Sequence, residues 1–249
     1  MCPTVRARPP KRETEENAPD CSASKRPRPD GAGSICLDFS DSRIVLKDVA
    51  APRSTVTYLS PGPGTLELNE RVLQWVRQVA MRDPLYHVRK CVHGHWQAGA
   101  VAYGERFRYK NDSWPHRPIP SLLEELRCEV HRHTCIDFNV VLLKVYANTE
   151  DSLGRHQDVD GSAQNVACLT FATPPECLRV VQWYRGKYGA KVVAEMLPAA
   201  GSLWVMSGDV NERYSHRVLP AATSETDGLR VSITFRSILW TEAGAMLCQ

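Results

Sequence analysis

The chain has 249 residues, of which 43% are hydrophobic, and its formal net charge is only +3. This length and composition are typical of one large globular domain or two small ones. No stretch approaches the roughly 18 apolar residues of a membrane span, and the charged N-terminus lacks the apolar core of a secretion signal. We therefore expect a non-membrane, intracellular monomer whose nine cysteines remain mostly thiols. With so small a net charge, any nucleic-acid surface must be local.

Residues 1–34 are rich in Pro, Ser, Ala and charged residues, which predicts a disordered tail because too little apolar surface is available for burial. Within it, SKRPRP (residues 24–29) resembles a short nuclear-import signal, although a solvated charge cluster is the alternative. We expect a nuclear or cytoplasmic protein, with the nucleus favoured by this stretch.

Two amphipathic helices are predicted before a series of strands. The first covers residues 66–81, with the apolar stripe Leu68, Val72, Trp75, Val76 and Val79. The second begins at Ser121, where Ser121 and Glu124 have capping-box spacing, and its apolar stripe is Leu122, Leu123, Leu126 and Val130. Short strands are predicted at 138–146, 166–173, 178–184, 191–197, 201–207 and 230–240. This order indicates an α+β protein with a closed or double-sheet β core.

The stretch GRHQDVDG (residues 154–161) places His156, Asp158 and Asp160 at alternate positions, so in an extended chain their side chains share one face. One further ligand would give two imidazoles and one carboxylate, the facial set that suits non-haem Fe(II). His216 is the candidate. A surface His and Asp in a polar turn is the alternative for the pair alone.

The last predicted strand carries Arg230, Ser232, Thr234 and Arg236 on one face. Because a buried guanidinium without a partner is costly, something anionic should lie beside these arginines. A small dicarboxylate held at both ends would satisfy them. Two structural salt bridges are the alternative.

Together these residues resemble a known family. HQD at 156–158, His216 about sixty residues later and RVSITFR at 230–236 are similar to the H-x-D, H and R-x5-R signature of Fe(II)- and 2-oxoglutarate-dependent dioxygenases, specifically AlkB-type nucleic-acid demethylases. AYGERFRY, IPSLLEELRCEV, FNVVLLKVY and GSLWVMSG also resemble family segments, in the same order. The resemblance covers residues 85–240. It implies a double-stranded β-helix (jelly-roll) core with N-terminal helices and a substrate-recognition hairpin.

The domain organisation follows from this resemblance. Residues 35–249 would form the dioxygenase domain, with a helical and recognition region at 35–137 and the jelly-roll core at 138–240. His156, Asp158 and His216 would ligate iron. Arg230 and Tyr146 would bind the distal carboxylate of 2-oxoglutarate, and Arg236 would lie near its metal-bound end.

Lys144 and Ser232 stand where the family usually has asparagines near the cosubstrate, so both are candidate cosubstrate contacts. A buried lysine needs an acidic partner. For Lys144 that partner is either 2-oxoglutarate or Asp160, which by resemblance faces the exocyclic amine of the target base.

The resemblance implies an enzyme that uses Fe(II), 2-oxoglutarate and O2 to remove N-linked methyl groups from DNA or RNA bases such as 1-methyladenine or 3-methylcytosine. Formaldehyde, succinate and carbon dioxide would be released, and the base must be unstacked to react. A related dioxygenase acting on tRNA or protein, and a non-catalytic nucleic-acid reader, are the alternatives. The choice between DNA and RNA, and between single and double strands, stays open.

Residues 82–117 hold seven Lys and Arg against three Asp and Glu, together with aromatic residues that include Trp96, Tyr103, Phe107, Tyr109 and Trp114, which is typical of a surface that contacts phosphates and stacks on bases. A solvated hairpin with core aromatics is the alternative. VHGHW (92–96) resembles the family hairpin, with His93 where a bulky side chain fills the gap left by a flipped base. Tyr109 and Tyr103 are further candidate substrate contacts.

Four potential metal ligands also cluster on the second predicted helix, namely Cys128, His131, His133 and Cys135. Their spacing matches no common zinc finger, so structural zinc is a minor alternative for this segment.

Overall fold

The computed structural model describes residues 35–48, 51–92, 94–109, 112–158, 162–174, 177–187, 189–222 and 228–238. All of them belong to one compact unit, Gly33–Gln249. In the described part of the chain, no helix is long and apolar enough to cross a membrane. The predicted tail, with its SKRPRP stretch, lies outside the described residues.

Fifteen strands and three helices follow one another along the described chain. The strands are β1 (Phe39–Asp48), β2 (Ala51–Pro61), β3 (Lys90–Val92), β4 (His95–Gln97), β5 (Gly99–Gly104), β6 (Phe107–Tyr109), β7 (Asp112–Trp114), β8 (Val140–Tyr146), β9 (Leu153–His156), β10 (Ser162–Thr173), β11 (Val181–Arg185), β12 (Val192–Met196), β13 (Leu203–Ser207), β14 (Tyr214–Val218) and β15 (Leu229–Ile238). The helices are α1 (Pro63–Gln78), α2 (Ser121–Thr134) and the short α3 (Val210–Arg213), and a 3-10 turn covers Ala80–Arg82.

Two antiparallel sheets form the core. The major sheet has seven strands in the order β1-β2-β13-β10-β15-β8-β5, and the minor sheet has four in the order β12-β11-β14-β9. Two small hairpins, β3-β4 and β6-β7, stand outside these sheets. The interleaved strand order, with sequence-distant strands as neighbours, is that of the predicted jelly roll.

The major sheet is buried on both faces. On one face Val141, Leu143 and Phe235 pack in a single apolar cluster with residues of α1 and α2, such as Val72 and Leu123. Because successive strand residues point to opposite faces, their neighbours point toward the minor sheet. There Tyr146 and Trp204 share a second cluster with Trp183 of β11. The space between the two sheets is therefore lined by β8, β15, β10 and the minor sheet.

Most predicted elements are confirmed, with small shifts in their bounds. In α2 the expected stripe of Leu122, Leu123, Leu126 and Val130 is buried. The capping-box prediction is wrong: the residue preceding α2 is Pro120, Ser121 is the first helical residue, and no side chain caps the helix. Val79 was expected in the apolar stripe of the first helix, but α1 ends before it and its side chain is 44% exposed.

Strands β1 and β2 lie where the sequence analysis predicted none. They form a hairpin, and β2 pairs with β13, so this hairpin forms one edge of the major sheet. The signal was present in the alternation of Val56 and Tyr58, which are buried, with threonines. The major sheet consequently begins well before residue 138, and β5 adds its opposite edge.

A pair of glycines tests the packing of the β5 edge. Gly104 and Gly186 both have positive φ, at 97° and 66°. A Cβ on Gly104 would lie 2.1 Å from the Asn139 carbonyl oxygen, whereas one on Gly186 would meet nothing within 4 Å. We predict that Gly186→Ala lowers the free energy of unfolding by about 1–2 kcal/mol through backbone strain alone. Gly104→Ala should cost about 1–3 kcal/mol more because strand β8 must move. Urea unfolding of both variants measures this difference, and equal losses would contradict the close approach.

Candidate active site

Three buried side chains meet between the sheets. His156 ends β9 and His216 lies in β14, and the two are register partners in the minor sheet, which brings their ring centroids to 4.2 Å. Asp158 follows two residues after β9, with its carboxylate 3.5 Å from Nε2 of His156 and 3.7 Å from Nε2 of His216. The possible ligand atoms of all three lie within 4.8 Å of one another. Two imidazoles and one carboxylate in this arrangement suit non-haem Fe(II) and leave coordination positions open.

A hydrogen bond orients one imidazole, and two tryptophan rings flank the other. Nδ1 of His156 donates to the Gly154 carbonyl oxygen at 2.9 Å, which leaves the lone pair of Nε2 available to bind a metal. His216 lies between Trp183 and Trp204, whose rings are 6.4 Å and 6.2 Å from its own. Burial, together with the charge of His156, lowers the pKa of His216 to about 3. The neutral form, which is the metal-binding form, therefore dominates near neutral pH.

Asp158 is kept ionised by Arg236. Its Oδ1 accepts a hydrogen bond from Nη2 of Arg236 at 2.5 Å, and both side chains are buried. Burial acts to raise the pKa of Asp158, but the charge of Arg236 and the contacts with the two histidines outweigh it, so the pKa lies well below its usual range. One of the two arginines on β15 thus makes the structural salt bridge that the sequence analysis considered, and it does so with a predicted metal ligand.

Arg230 is in a different situation. It lies opposite Tyr146 in the register of β15 and β8, with its guanidinium carbon 4.6 Å from the centre of the tyrosine ring. Both side chains are fully buried. Among the described residues, none accepts a hydrogen bond from any side-chain nitrogen of Arg230, and none pairs with the Tyr146 hydroxyl. Donors left in this state call for an anionic ligand, and a carboxylate fits them. These residues therefore fit 2-oxoglutarate with its distal carboxylate at Arg230.

Lys144 and Ser232 are register partners on neighbouring strands and are both buried. By strand alternation they face the same side of the sheet as Tyr146 and Arg230. Their positions agree with the predicted cosubstrate contacts. Asp160, the other proposed partner of Lys144, lies outside the described residues, so its role remains a prediction.

The predicted recognition hairpin is formed by β3 and β4, with Gly94 at positive φ in its turn. Its base is fixed by Arg89, whose guanidinium lies 4.0 Å above the ring of Trp96 and whose Nε donates to Asp151 at 2.6 Å. Asp151 is completely buried, and no motif in the sequence points to it. The hairpin also abuts the strand that carries His156, since Gln97 bridges to Ser152. His93 lies outside the described residues.

The prediction that Tyr103 contacts substrate is wrong. Its side chain is buried on the helix side of β5, with its ring centre 6.5 Å from that of Trp75. Its hydroxyl donates to Asp83, which also pairs with Arg117. In β5 the small residues Ala100 and Ala102 face the other side, so strand alternation directs Tyr103 away from the site.

Two of the seven basic residues in 82–117 are engaged inside the fold, Arg117 with Asp83 and Arg89 with Asp151. Exposed basic side chains remain at Arg82, Lys90 and Arg106. Tyr109 is in β6, where its backbone is paired with Asp112, and the prediction for its side chain stays a prediction.

The minor zinc alternative is not supported. In the described part of the chain, the one group of three or more potential ligands close enough to share an ion is His156, Asp158 and His216. On α2, Nδ1 of His131 lies 3.0 Å from the Ile136 carbonyl oxygen, and Nε2 of His133 lies 2.9 Å from that of Leu37. These histidines tie the end of the helix to neighbouring backbone. No disulfide joins the six described cysteines.

Comparisons with known proteins agree with this geometry. Residues 66–236 match the family model described as the 2OG-Fe(II) oxygenase superfamily. A search of curated protein sequences finds no match. Among solved structures, the chain is similar to one described as "The structure of OsALKBH1", with a TM-score of 0.51 and 12% sequence identity over 81% of this chain and 99% of that one. At this identity the likeness shows the shared fold.

Removing one imidazole should strongly weaken metal binding. We predict that wild-type protein binds one Fe(II) per chain, and that His156→Ala and His216→Ala each weaken binding by more than the ~10–100-fold that loss of an outer-shell partner causes. His116→Ala, which changes an exposed histidine, is the matched control and should bind as wild type does. Anaerobic calorimetric titration gives the affinities. Equal binding by the wild type and both ligand variants would refute this site.

Proposed function

Because the chain belongs to the 2OG-Fe(II) oxygenase superfamily and is an Fe(II)- and 2-oxoglutarate-dependent dioxygenase, we propose that it removes N-linked methyl groups from nucleic-acid bases. Bases of the 1-methyladenine and 3-methylcytosine type in DNA or RNA are the proposed substrates, with formaldehyde, succinate and carbon dioxide as products. The observation that supports this proposal is the β3-β4 hairpin, whose last residue, Gln97, bridges to Ser152, immediately before the strand β9 that carries His156.

Different residues of the protein have different roles in the proposed reaction. When bound, Fe(II), 2-oxoglutarate and O2 supply the oxidising power that hydroxylates the methyl group, which then leaves as formaldehyde. Asp158, held ionised by Arg236, and the two histidines offer three ligand atoms that could hold Fe(II). Arg230 and Tyr146 offer donors for the distal carboxylate. Trp183 and Trp204 exclude water on the side of His216.

A methylated base must leave its stack to reach this buried group of ligands. The hairpin β3-β4 suits that task because it is short, exposed at its tip and anchored at its base by the buried carboxylate of Asp151. Lys90 on β3 and Arg106 after β5 are exposed cations that can contact phosphates. Nuclear or cytoplasmic location and the monomeric state remain expectations from the sequence.

The decisive assay presents 1-methyladenine and 3-methylcytosine in four contexts, namely single- and double-stranded DNA and single- and double-stranded RNA. With Fe(II) and 2-oxoglutarate, we expect formaldehyde release from at least one context, and none from the His156→Ala control. The preferred context identifies the substrate class.

The same assay separates the alternatives. Succinate formation without formaldehyde on all four substrates would show a dioxygenase with another substrate, such as tRNA or protein. Nucleic-acid binding without iron-dependent succinate formation would show a non-catalytic reader. Either result overturns the demethylase proposal.

Charge substitutions test the recognition surface. We predict that Lys90→Gln and Arg106→Gln each weaken binding of single-stranded nucleic acid and reduce the slope of log K against log salt by about one. Lys47→Gln is the matched control, because Lys47 is exposed on β1, at the opposite edge of the major sheet from β5. Fluorescence anisotropy at several salt concentrations measures both effects. Unchanged slopes in the first two variants would place the nucleic-acid surface elsewhere.

A further inference from the structure

A second buried arginine lies beside the distal carboxylate site. Arg179 precedes β11 and is 1% exposed, and its guanidinium carbon lies 5.0 Å from the centre of the Tyr146 ring. The guanidinium carbon of Arg230 lies 4.6 Å from the centre of the same ring. Two buried cations therefore approach one tyrosine. Arg179 belongs to neither the H-x-D nor the R-x5-R motif, so the sequence alone gives no signal for it.

The hydrogen bonds of Arg179 go to neutral groups. Its guanidinium donates to the carbonyl oxygens of Asn148 at 2.5 Å, Cys177 at 2.6 Å and Asp151 at 3.0 Å. These bonds fix the loop that follows Tyr146 but pair the guanidinium with no carboxylate, and the nearby charge of Asp151 offsets the positive charge only in part. The carboxylate of Asp151 is directed elsewhere, toward Arg89 and two backbone N–H groups. In the described part of the chain, no carboxylate forms an ion pair with Arg179 or Arg230.

The two arginines act on each other. Burial, and then the charge of Arg230, lower the pKa of Arg179 to about 10. The direction is that of like charges held close together in a medium of low polarity. Desolvating one guanidinium is already costly, and a second raises the cost further unless an anion is bound. The pair thus favours a ligand with a full negative charge at this end over a neutral one.

We propose that Arg179 is a specificity-determining and positioning residue for the cosubstrate, and that its charge, acting across Tyr146, makes the site select a 2-oxo dicarboxylate over a 2-oxo monocarboxylate. Arg179 acts through Tyr146 and Arg230 and through the loop it holds, not as a metal or substrate ligand. The inference concerns the cosubstrate alone and stands whether or not the substrate is a nucleic acid.

The test compares two ligands that differ at one end. 2-Oxopentanoate has a methyl group where 2-oxoglutarate has its distal carboxylate. Affinities are measured by calorimetry with Fe(II)-loaded protein under anaerobic conditions and without nucleic acid, so that no turnover occurs. For Arg179→Gln we expect binding of 2-oxoglutarate to weaken by about tenfold, the effect of losing one partly screened charge. Binding of 2-oxopentanoate should change by less than about twofold.

Arg179→Lys separates charge from hydrogen bonding. It keeps the positive charge but loses the planar fork that binds three carbonyl oxygens. We expect the ratio of the two affinities to stay within about threefold of the wild-type ratio, while the melting temperature falls. If Arg179→Gln does not fold, the test rests on Arg179→Lys alone. The proposal is overturned if Arg179→Lys folds but its ratio of 2-oxoglutarate affinity to 2-oxopentanoate affinity falls well below the wild-type ratio.

Arg155→Gln is the matched control. Arg155 also donates to backbone carbonyl oxygens, those of Gly186 and Gly189, and its guanidinium carbon lies 4.3 Å from the centre of the Tyr184 ring. Arg155→Gln removes a similar set of hydrogen bonds from the minor sheet, so the ratio of 2-oxoglutarate affinity to 2-oxopentanoate affinity should be unchanged. If Arg179→Gln weakens both ligands equally, or if Arg155→Gln lowers the ratio as much, the role of Arg179 is only structural.

Discussion

The balance of buried positive charge is the constraint on which the site depends. Three arginines, Arg179, Arg230 and Arg236, are buried at the centre of the fold, where an unbalanced guanidinium is costly. Asp158 balances Arg236 through a short ion pair. For the other two, the described residues supply carbonyl oxygens and an aromatic ring but no carboxylate. Within the described part of the chain, the fold therefore provides a place for an anion that no carboxylate of the protein fills.

This constraint also explains why the two ends of the site behave differently. At one end Asp158 is shared between Arg236 and the two imidazoles, so its ionised form is secured before any metal binds. At the other end, no described residue accepts a hydrogen bond from the side-chain donors of Arg230 or Tyr146. 2-Oxoglutarate carries a carboxylate at each end, so its distal carboxylate would fit the donors of Arg230 and its 2-oxo acid end would lie toward the metal ligands.

The loop 147–152 links this site to the recognition hairpin. Arg179 holds the loop from the side of the cosubstrate through backbone carbonyl oxygens, and Arg89 holds it from the side of the hairpin through the carboxylate of Asp151. Asp151 thus binds two arginines through different groups, Arg179 through its carbonyl oxygen and Arg89 through its carboxylate. The hairpin is consequently attached to a rigid part of the fold, while its tip remains exposed for contact with a partner.

Sequence reasoning succeeded where the chemistry is local and periodic. The H-x-D spacing, the alternation on β15 and the apolar stripe of α2 each depend on neighbours along the chain, and these predictions agree with the structure. It failed where a side chain could face either way. Tyr103 has an aromatic ring suited to stacking on a base, yet the alternation of β5 directs it to the helix side, where its hydroxyl donates a hydrogen bond to Asp83.

The sequence by itself determined which residue types could bind a metal and an anion, because side-chain chemistry and strand periodicity are written in the chain. Only the tertiary structure decided which of them meet. Pairing of β9 with β14 brings His156 to His216 across sixty residues, and a loop before β11 brings Arg179 to Tyr146. Such contacts depend on which strands become neighbours and on which buried charges lack a partner of opposite charge. Neither can be read from a local stretch of the sequence.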